Sequence, residues 1–158
     1  MDFHLNMTGI QGEDKDTGFA NQVKVDNYQI SFANPTTVKG SSGSGATQVI
    51  CGDCSCSIVF DKAIKGFFQA ITKGTHIATT TLSGVKSGAN NKAFITFTFT
   101  ECFITSLSHG GGGGMDVPSV SISFSYNKIT QEYFTQNTDG TVASTGPASW
   151  ESSTKTAS

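Results

Sequence analysis

The sequence contains no arginine and few charged residues of any kind. Its ten basic residues are all lysines and face twelve carboxylates, so that charged residues make up 14% of the chain and the formal net charge is -2. Without arginine the chain lacks the bidentate donor that proteins most often use on phosphate and carboxylate groups. A nearly neutral chain also lacks the basic stripe that binds the phosphates of nucleic acids. We therefore expect no nucleic-acid partner.

Long hydrophobic runs are also missing. No apolar stretch approaches the roughly 20 residues that a membrane-spanning helix requires. The first residues, Met1–Met7, enter an alternating pattern and show neither the basic nor the apolar region of a classical signal peptide. We therefore expect a protein that is made in the cytoplasm and does not insert into a membrane.

Clusters of residues that could carry out chemistry are scarce. The three histidines, His4, His76 and His109, are scattered and fit no metal-binding or catalytic spacing, so we interpret each as a surface or strand residue. The glycine-rich stretches lack the Gly-Lys-Ser/Thr ending of a phosphate-binding loop, and no serine lies in a Gly-x-Ser-x-Gly turn. We therefore predict no catalytic residue and no cofactor, and an enzyme is a disfavoured class.

The four cysteines allow two interpretations. Cys51, Cys54 and Cys56 lie close together and Cys102 lies far away, and a reducing cytoplasm disfavours disulfides among them. Cys51 and Cys54 have the spacing of half a zinc site, whereas Cys54 and Cys56 would point to the same face of a strand and fill a core as small apolar thiols. We favour buried thiols and predict no metal site, and stoichiometric zinc in purified protein would decide for the alternative.

Alternation of polar and apolar residues dominates the rest of the chain, whose length fits a single domain over residues 1–158. This period-2 pattern predicts a mainly β fold with half-solvated strands. The predicted strand regions are 3–8, 23–32 with a bulge near Asp26, 48–60, 76–85, 93–106, 119–126, and a short strand near Trp150 after a turn at Asp139-Gly140.

One helix is predicted after residue 60, with Asp61 as its N-cap and Gly74 just past its end. Its predicted apolar stripe consists of Ile64, Phe67, Phe68 and Ile71. Two glycine-rich stretches, 36–47 and 109–114, predict loops. A loop of about a dozen residues in a small domain is more often functional than not, and a surface loop without a role is the alternative.

Three local motifs in this order of elements carry a resemblance to a known family. They are Phe60-Asp61-Lys62-Ala63 continuing to Gly74-Thr75-His76-Ile77, Leu107-Ser108-His109 with the following glycines and Val120–Tyr126, and Ser149-Trp150-Glu151. Over residues 3–150 the chain resembles the haemolysin-coregulated protein (Hcp) family, the tube protein of bacterial type VI secretion systems. It departs from the family pattern at Ile64-Lys65-Gly66, where a Thr-Pro is common, and in its cysteine cluster.

The resemblance implies a closed antiparallel β-barrel with one α-helix that assembles as a hexameric ring. It further implies stacked rings, contact with contractile sheath, spike and baseplate proteins, effector proteins in the lumen, and secretion by the type VI system itself. An unrelated β-barrel binding module, such as a carbohydrate binder, is the alternative, although Trp150 is the only Trp that could stack on a sugar.

Two sets of site residues follow from the implied ring. We predict that the loop between Thr36 and Thr47 controls stacking of one ring on the next, because head-to-tail contacts between rings benefit from a projecting segment. The stacking residues are Val38, Lys39, Gly40, Ser41, Ser42, Gly43, Ser44 and Gly45. We predict that Gln29 and Ser31, on the polar side of the second strand, face the lumen and its cargo.

Overall fold

The computed structural model describes residues 1–35, 49–86, 92–114, 116–137 and 141–158. In this part of the chain the structure has one helix and eleven strands. They are β1 (Asp2–Met7), β2 (Val23–Gln29), β3 (Phe32–Ala33), β4 (Ile50–Cys51), β5 (Cys54–Ile58), α1 (Ala63–Lys73), β6 (Ile77–Val85), β7 (Ala93–Gly110), β8 (Ser119–Ser125), β9 (Lys128–Gln136), β10 (Val142–Glu151) and β11 (Thr156–Ala157).

Six strands close into a barrel. They pair antiparallel in the order β7, β6, β1, β2, β5 and β8, and β8 pairs back onto β7. The long strand β7 allows this closure because its first half pairs with β6 whereas residues 103–110 pair with β8. Between the two halves the backbone of Glu101 has a φ of 56°, in the left-handed region. The predicted closed antiparallel barrel with one α-helix is thus confirmed.

Three further strands extend the sheet from the barrel. β9 pairs with the first half of β7, β10 pairs with β9, and β11 pairs with the end of β10. The register of β10 on β9 shifts between Ser144 and Pro147, and Gly146 has a φ of 93°. The predicted strand near Trp150 is confirmed, but it is not short, because β10 has ten residues, and β9 before it was not predicted. Most side chains of β10 are exposed, so the alternation that marks half-buried strands is weak there.

The barrel interior is filled by side chains from every strand around it, as expected for so few strands. Phe67, Phe99 and Phe124 are fully buried, and the rings of Phe99 and Phe124 meet edge to face at 5.1 Å. Cys54 and Cys56 point into this core with their sulfurs 3.9 Å apart. The predicted core position of these two thiols is therefore confirmed, and Cys102 is also buried there.

The helix begins one residue later than its predicted cap implies. Lys62 occupies the N-cap position, but the carboxylate of Asp61 accepts hydrogen bonds from the N–H of Ala63 at 2.8 Å and of Glu13 at 3.0 Å. Asp61 therefore still satisfies a free amide of the first turn. At the other end Gly74 has a φ of 61°, and the predicted glycine cap is confirmed.

The predicted apolar stripe of the helix is correct except at one residue. Phe67 is buried and Ile64 and Ile71 pack against the core, but Phe68 is 58% exposed. Gly66, in the middle of the helix, has a packing reason: a Cβ built there would lie 3.0 Å from Cγ2 of Ile10. The helix therefore approaches the segment after β1 as closely as a glycine permits.

Three predicted boundaries also need correction. The predicted strand 48–60 is divided into β4, which pairs with β3, and β5, which belongs to the barrel. The predicted strand 23–32 is divided, because β2 ends at Gln29 and β3 starts at Phe32. The predicted bulge near Asp26 is confirmed, because the register of β2 on β5 shifts between Val25 and Asn27. His109 was placed in a loop, but β7 continues through Gly110 because residues 106–110 pair with β8.

Candidate functional site: assembly and cargo surfaces

A small two-stranded sheet carries the chain into and out of the predicted stacking loop. In this pair Phe32 lies opposite Cys51 and Ala33 opposite Ile50. Phe32 is 51% and Ile50 59% exposed, so two large apolar side chains are solvated on the same pair of strands. The predicted stacking residues Val38–Gly45 lie outside the described residues.

The two predicted lumen residues have different surroundings. Gln29 is exposed at the end of β2, where it lies opposite Ser55 of β5. Ser31 is exposed beyond the strand, and its carbonyl accepts a hydrogen bond from the N–H of Gly52 at 2.9 Å. Gly52 fits there because a Cβ would lie 2.3 Å from the hydroxyl oxygen of Ser31. Gln29 thus belongs to the barrel sheet, whereas Ser31 belongs to the connection that leads out of it.

Gln29 is part of a larger polar surface that the sequence alone did not reveal. On β2, β5, β8 and β7 the residues that alternate with the core point outward, and the register aligns them in two rows. We call these the polar rows: Gln29, Ser55, Ser123 and Ser106 in the first, and Asn27, Ser57, Ser121 and Ser108 in the second. The hydroxyls of Ser55 and Ser123 are 2.8 Å apart, so side chains of neighbouring strands contact each other across the sheet.

A cleft of about 530 Å³ opens beside the second polar row. Its lining includes Ser57, Ser108 and Ser121 of that row together with the apolar pair Val117 and Pro118. The cleft makes this end of the polar surface concave.

His4 is a strand residue, as predicted, but it is buried within an ionic cluster. Its Nδ1 contacts the carboxylate of Asp14, its Nε2 lies 3.9 Å from Asp16, and its ring stacks on Phe19 at 4.2 Å. Burial raises the pKa of Asp14, but hydrogen bonds from the N–H of Asp16 and from His4 outweigh it and hold that pKa below its usual value. Lys24 lies 3.3 Å from Asp16 and adds a positive charge to the cluster. The cluster fixes the segment after β1 onto the barrel.

Among the described residues, His4, Asp14 and Asp16 are the one group of at least three His, Cys, Asp or Glu close enough to share a metal ion. Both oxygens of Asp14 already accept hydrogen bonds, and Lys24 contacts Asp16. These contacts satisfy the cluster from within the chain. The cysteines are arranged differently, since Cys51 is half-buried in β4 and the other three lie in the core.

His76 forms an exposed pair on another surface. Its Nε2 contacts the carboxylate of Glu101, the residue with the left-handed backbone, and its ring lies 5.3 Å from that of Phe103. An exposed contact of this kind contributes about 0 to 1 kcal/mol. We interpret it as a local contact at the bend of β7.

No helix in the described part of the chain is long and apolar enough to span a membrane.

Comparison with known proteins gives a consistent result. The family model described as "Type VI secretion system effector, Hcp" matches residues 4–133. Protein hcp1 of Pseudomonas aeruginosa is 25% identical over 141 residues, which cover 89% of this chain and 87% of the relative. A solved type six secretion system protein superposes with a TM-score of 0.92 at 23% identity, and Hcp1 from Salmonella typhimurium with a TM-score of 0.78 at 20% identity. Each of these two alignments covers 99% of both chains. The chain therefore belongs to the Hcp family of the type VI secretion system.

Proposed function

We propose that this protein is a structural subunit of the type VI secretion inner tube. Six copies form a ring, rings stack into a tube that a contractile sheath propels, and the lumen carries effector proteins. The chain is made in the cytoplasm, meets spike and baseplate proteins during assembly, and is itself secreted with the tube. The observation that carries this proposal is the family match over residues 4–133, joined to a barrel that superposes on a type six secretion protein over its whole length.

The exposed apolar side chains support an assembled state. Several large hydrophobic residues are solvated in the isolated chain, on β3, β4, α1 and the segments beside β5 and β8. They are Phe32, Ile50, Val59, Phe60, Phe68 and Val117. Single exposed apolar residues are ordinary, but these six belong to nine large hydrophobic residues of the described part of the chain that expose a third or more of their surface, and partners that cover them would stabilise the protein.

The hexamer is tested by native mass spectrometry. One chain has a mass of 16.6 kDa, so a ring gives a complex of about 100 kDa. A chain that stays monomeric at about 100 µM, well above the concentration at which most specific interfaces form, would contradict the proposed function.

The loop Val38–Gly45 is proposed as the stacking element, and the exposed Phe32 and Ile50 on the strands that carry it support a contact at this end of the molecule. Ordering a free loop costs about 1 to 2 kcal/mol per residue, so a single ring-to-ring contact is weak and six act together. Deleting Lys39–Gly45 should leave hexamers by native mass spectrometry but abolish tubes and secretion in cells. Monomers, or unchanged secretion, would show that this loop is not the stacking element.

Gln29 and Ser31 are proposed to face the lumen and contact effectors. A substitution in a hexameric ring appears six times, so its effect on cargo is multiplied. Gln29→Arg should reduce the effector that co-purifies with rings from the producing bacterium while leaving the ring mass unchanged. Co-purification at wild-type yield would remove Gln29 from the cargo surface.

A further inference from the structure

The helix lies in a stretch of the chain that has no acidic residue. Between Lys62 and Thr100 the sequence contains no Asp or Glu, although it contains five of the ten lysines. Three of these, Lys62, Lys65 and Lys73, lie on α1 or at its N-cap. Charges of one sign that are segregated in this way favour a partner of the opposite sign.

The three lysines lie on the solvent side of the helix together with one large apolar residue. The exposed residues of the helix recur at spacings of three and four, so they share one face. We call this the helix face: Lys62, Lys65, Phe68, Gln69, Thr72 and Lys73. Ala63, Phe67 and Ala70 are buried on the other side. The helix face therefore combines three cations with Phe68, which is 58% exposed.

The chain itself compensates these charges only in part. Among the described residues, no carboxylate forms an ion pair with a lysine of the helix face. Burial raises the pKa of Asp61, and the nearby charge of Lys62 acts against this rise. Lys62 also shares a cleft with Glu13. The charges that a partner would neutralise are therefore chiefly those of Lys65 and Lys73.

Helix stability does not account for Lys65. This residue is the third of the helix, and the first turn contains no acidic residue. A cation there interacts unfavourably with the helix dipole, whereas Lys73 in the last turn interacts favourably. A residue that departs from a local rule of stability is expected where a surface has another role.

We infer that the helix face binds an acidic polypeptide segment that places carboxylates beside Lys65 and Lys73 and an apolar side chain against Phe68. The inference goes beyond the proposed function, because this surface is present on every single chain. The helix has 11 residues and is about 17 Å long, so a segment of about three helical turns covers it. An anionic membrane fits less well, because lipid-binding clusters usually contain about four to eight basic residues.

Lys92 supplies a control of the same charge at the other end of the barrel. Gly66 of the helix lies against Ile10, three residues beyond the end of β1. The exposed Lys92 immediately precedes β7, and Val85 pairs with the first residues of both β7 and β1. Because β1 is about 20 Å long, Lys92 is well separated from the helix face.

The first test measures which kind of segment the wild-type protein binds. The probes are fluorescent 16-residue helical peptides with three leucines on one face and either six glutamates or six lysines on the other. By fluorescence anisotropy in about 50 mM salt, the protein should bind the glutamate peptide at least about tenfold more tightly than the lysine peptide. Raising the salt to about 500 mM should weaken this binding at least about threefold, because exposed charges are screened. Replacing the leucines with serines should also weaken it about threefold.

The second test locates the binding surface. Lys65→Glu should weaken binding of the glutamate peptide at least about tenfold, and Phe68→Ser should weaken it at least about threefold. Lys92→Glu changes the net charge by the same amount as Lys65→Glu but should weaken binding less than about twofold. The thermal midpoint of Lys65→Glu should be no lower than that of the wild type, because a glutamate in the first turn suits the helix dipole. The loss of binding is then separate from any loss of fold.

The outcomes separate this inference from the proposed function. Equal effects of Lys65→Glu and Lys92→Glu, or no saturable binding of the glutamate peptide below about 1 mM, would overturn the inference. Loss of the hexamer mass in Lys65→Glu would show that a second copy covers the helix face, and binding of wild-type protein to phosphatidylglycerol vesicles that is lost in Lys65→Glu would show a membrane there. Either result would also overturn it. Wild-type chains that stay monomeric would contradict only the proposed function, because the peptide assay does not require a ring.

Discussion

Replacing His4 with phenylalanine removes the hydrogen-bonding partner of the buried Asp14 carboxylate while keeping an aromatic ring in place. The side chains of His4 and Asp14 are 2% and 3% exposed, so neither group can be satisfied by solvent. Phenylalanine is somewhat larger than histidine, but it keeps an aromatic ring that can stack on Phe19, whose ring lies 4.2 Å from that of His4. The main loss is therefore the partner of the Asp14 carboxylate.

The size of the effect follows from the contacts that remain. Breaking a buried pair by removing one partner typically costs about 3 to 5 kcal/mol. Asp14 keeps a hydrogen bond from the N–H of Asp16, and Lys24 beside Asp16 still supplies positive charge nearby, so the lower end applies. We expect His4→Phe to reduce the free energy of unfolding by about 3 kcal/mol. Adding Asp14→Leu should restore most of this loss, because replacing both partners with apolar groups leaves no buried charge.

Urea denaturation at pH 7 and one fixed protein concentration measures these values, since assembly would otherwise change the apparent stability. A loss under about 0.5 kcal/mol for His4→Phe, within the usual range of a surface substitution, would refute the reasoning. The reasoning would also be refuted if the double variant His4→Phe/Asp14→Leu were no more stable than His4→Phe. Asn6→Ala, on the same strand but exposed, is the control.

Acid offers an independent check on the same pair. The pKa of Asp14 in the folded state lies below its usual value. The contribution of Asp14 to stability is therefore complete above its pKa in the unfolded chain, about 3.9, and is lost as the pH falls through its folded-state pKa. Between pH 5 and pH 3 the wild-type protein should therefore lose more stability than the double variant His4→Phe/Asp14→Leu. Equal losses would show that Asp14 is not the group that titrates in this range.

Substitutions at three positions test the fold itself by urea denaturation. Phe124→Ala should cost about 3 to 5 kcal/mol, because the side chain is fully buried against Phe99, and a loss near 1 kcal/mol would mean that the barrel interior collapses around the cavity. Glu101→Gly should be more stable than Glu101→Ala by about 1 kcal/mol, since both variants lose the contact with His76 but only glycine adopts the left-handed backbone without strain. Equal stability of the two variants would show that the backbone at residue 101 is not strained. Gly84→Ala should cost about 1 to 3 kcal/mol, because its Cβ would lie 2.8 Å from two neighbouring side chains, and an unchanged midpoint would show that those side chains move aside freely.

The parts of the fold that could be predicted from the sequence are those in which the local pattern and the tertiary environment agree. Ser119–Ser125 alternates serines with apolar residues and forms the half-buried β8, and Gly74 takes the left-handed cap that its position after a lysine predicts. Cys54 and Cys56 could be assigned to the core for the same reason, because their spacing matches the period of a strand. In each case nearby residues along the chain determine the structure.

The failures have the opposite cause. Most side chains of β10 are exposed, so its sequence does not alternate between polar and apolar residues. Only its pairing with β9 defines it as a strand. Phe68 continues an apolar stripe by spacing, yet the barrel covers only the part of the helix around Phe67. The polar rows could not be predicted because each serine pairs with a residue far along the chain, as Ser55 does with Ser123, and only the register brings them together. Asp14 likewise reaches His4 only because the segment after β1 folds back over that strand.

The irregularity in β10 bears on how the protein behaves when it is abundant. An edge strand with an uninterrupted row of N–H and C=O groups is a template on which further chains can add and grow into fibrils. In β10 the register shift between Ser144 and Pro147 breaks that row, Gly146 turns the backbone out of the extended conformation, and Pro147 has no N–H to donate. A strand from another molecule would therefore lose its alignment after a few residues on this edge. This interruption therefore disfavours nonspecific sheet growth from the β10 edge, and it leaves association there to contacts between side chains.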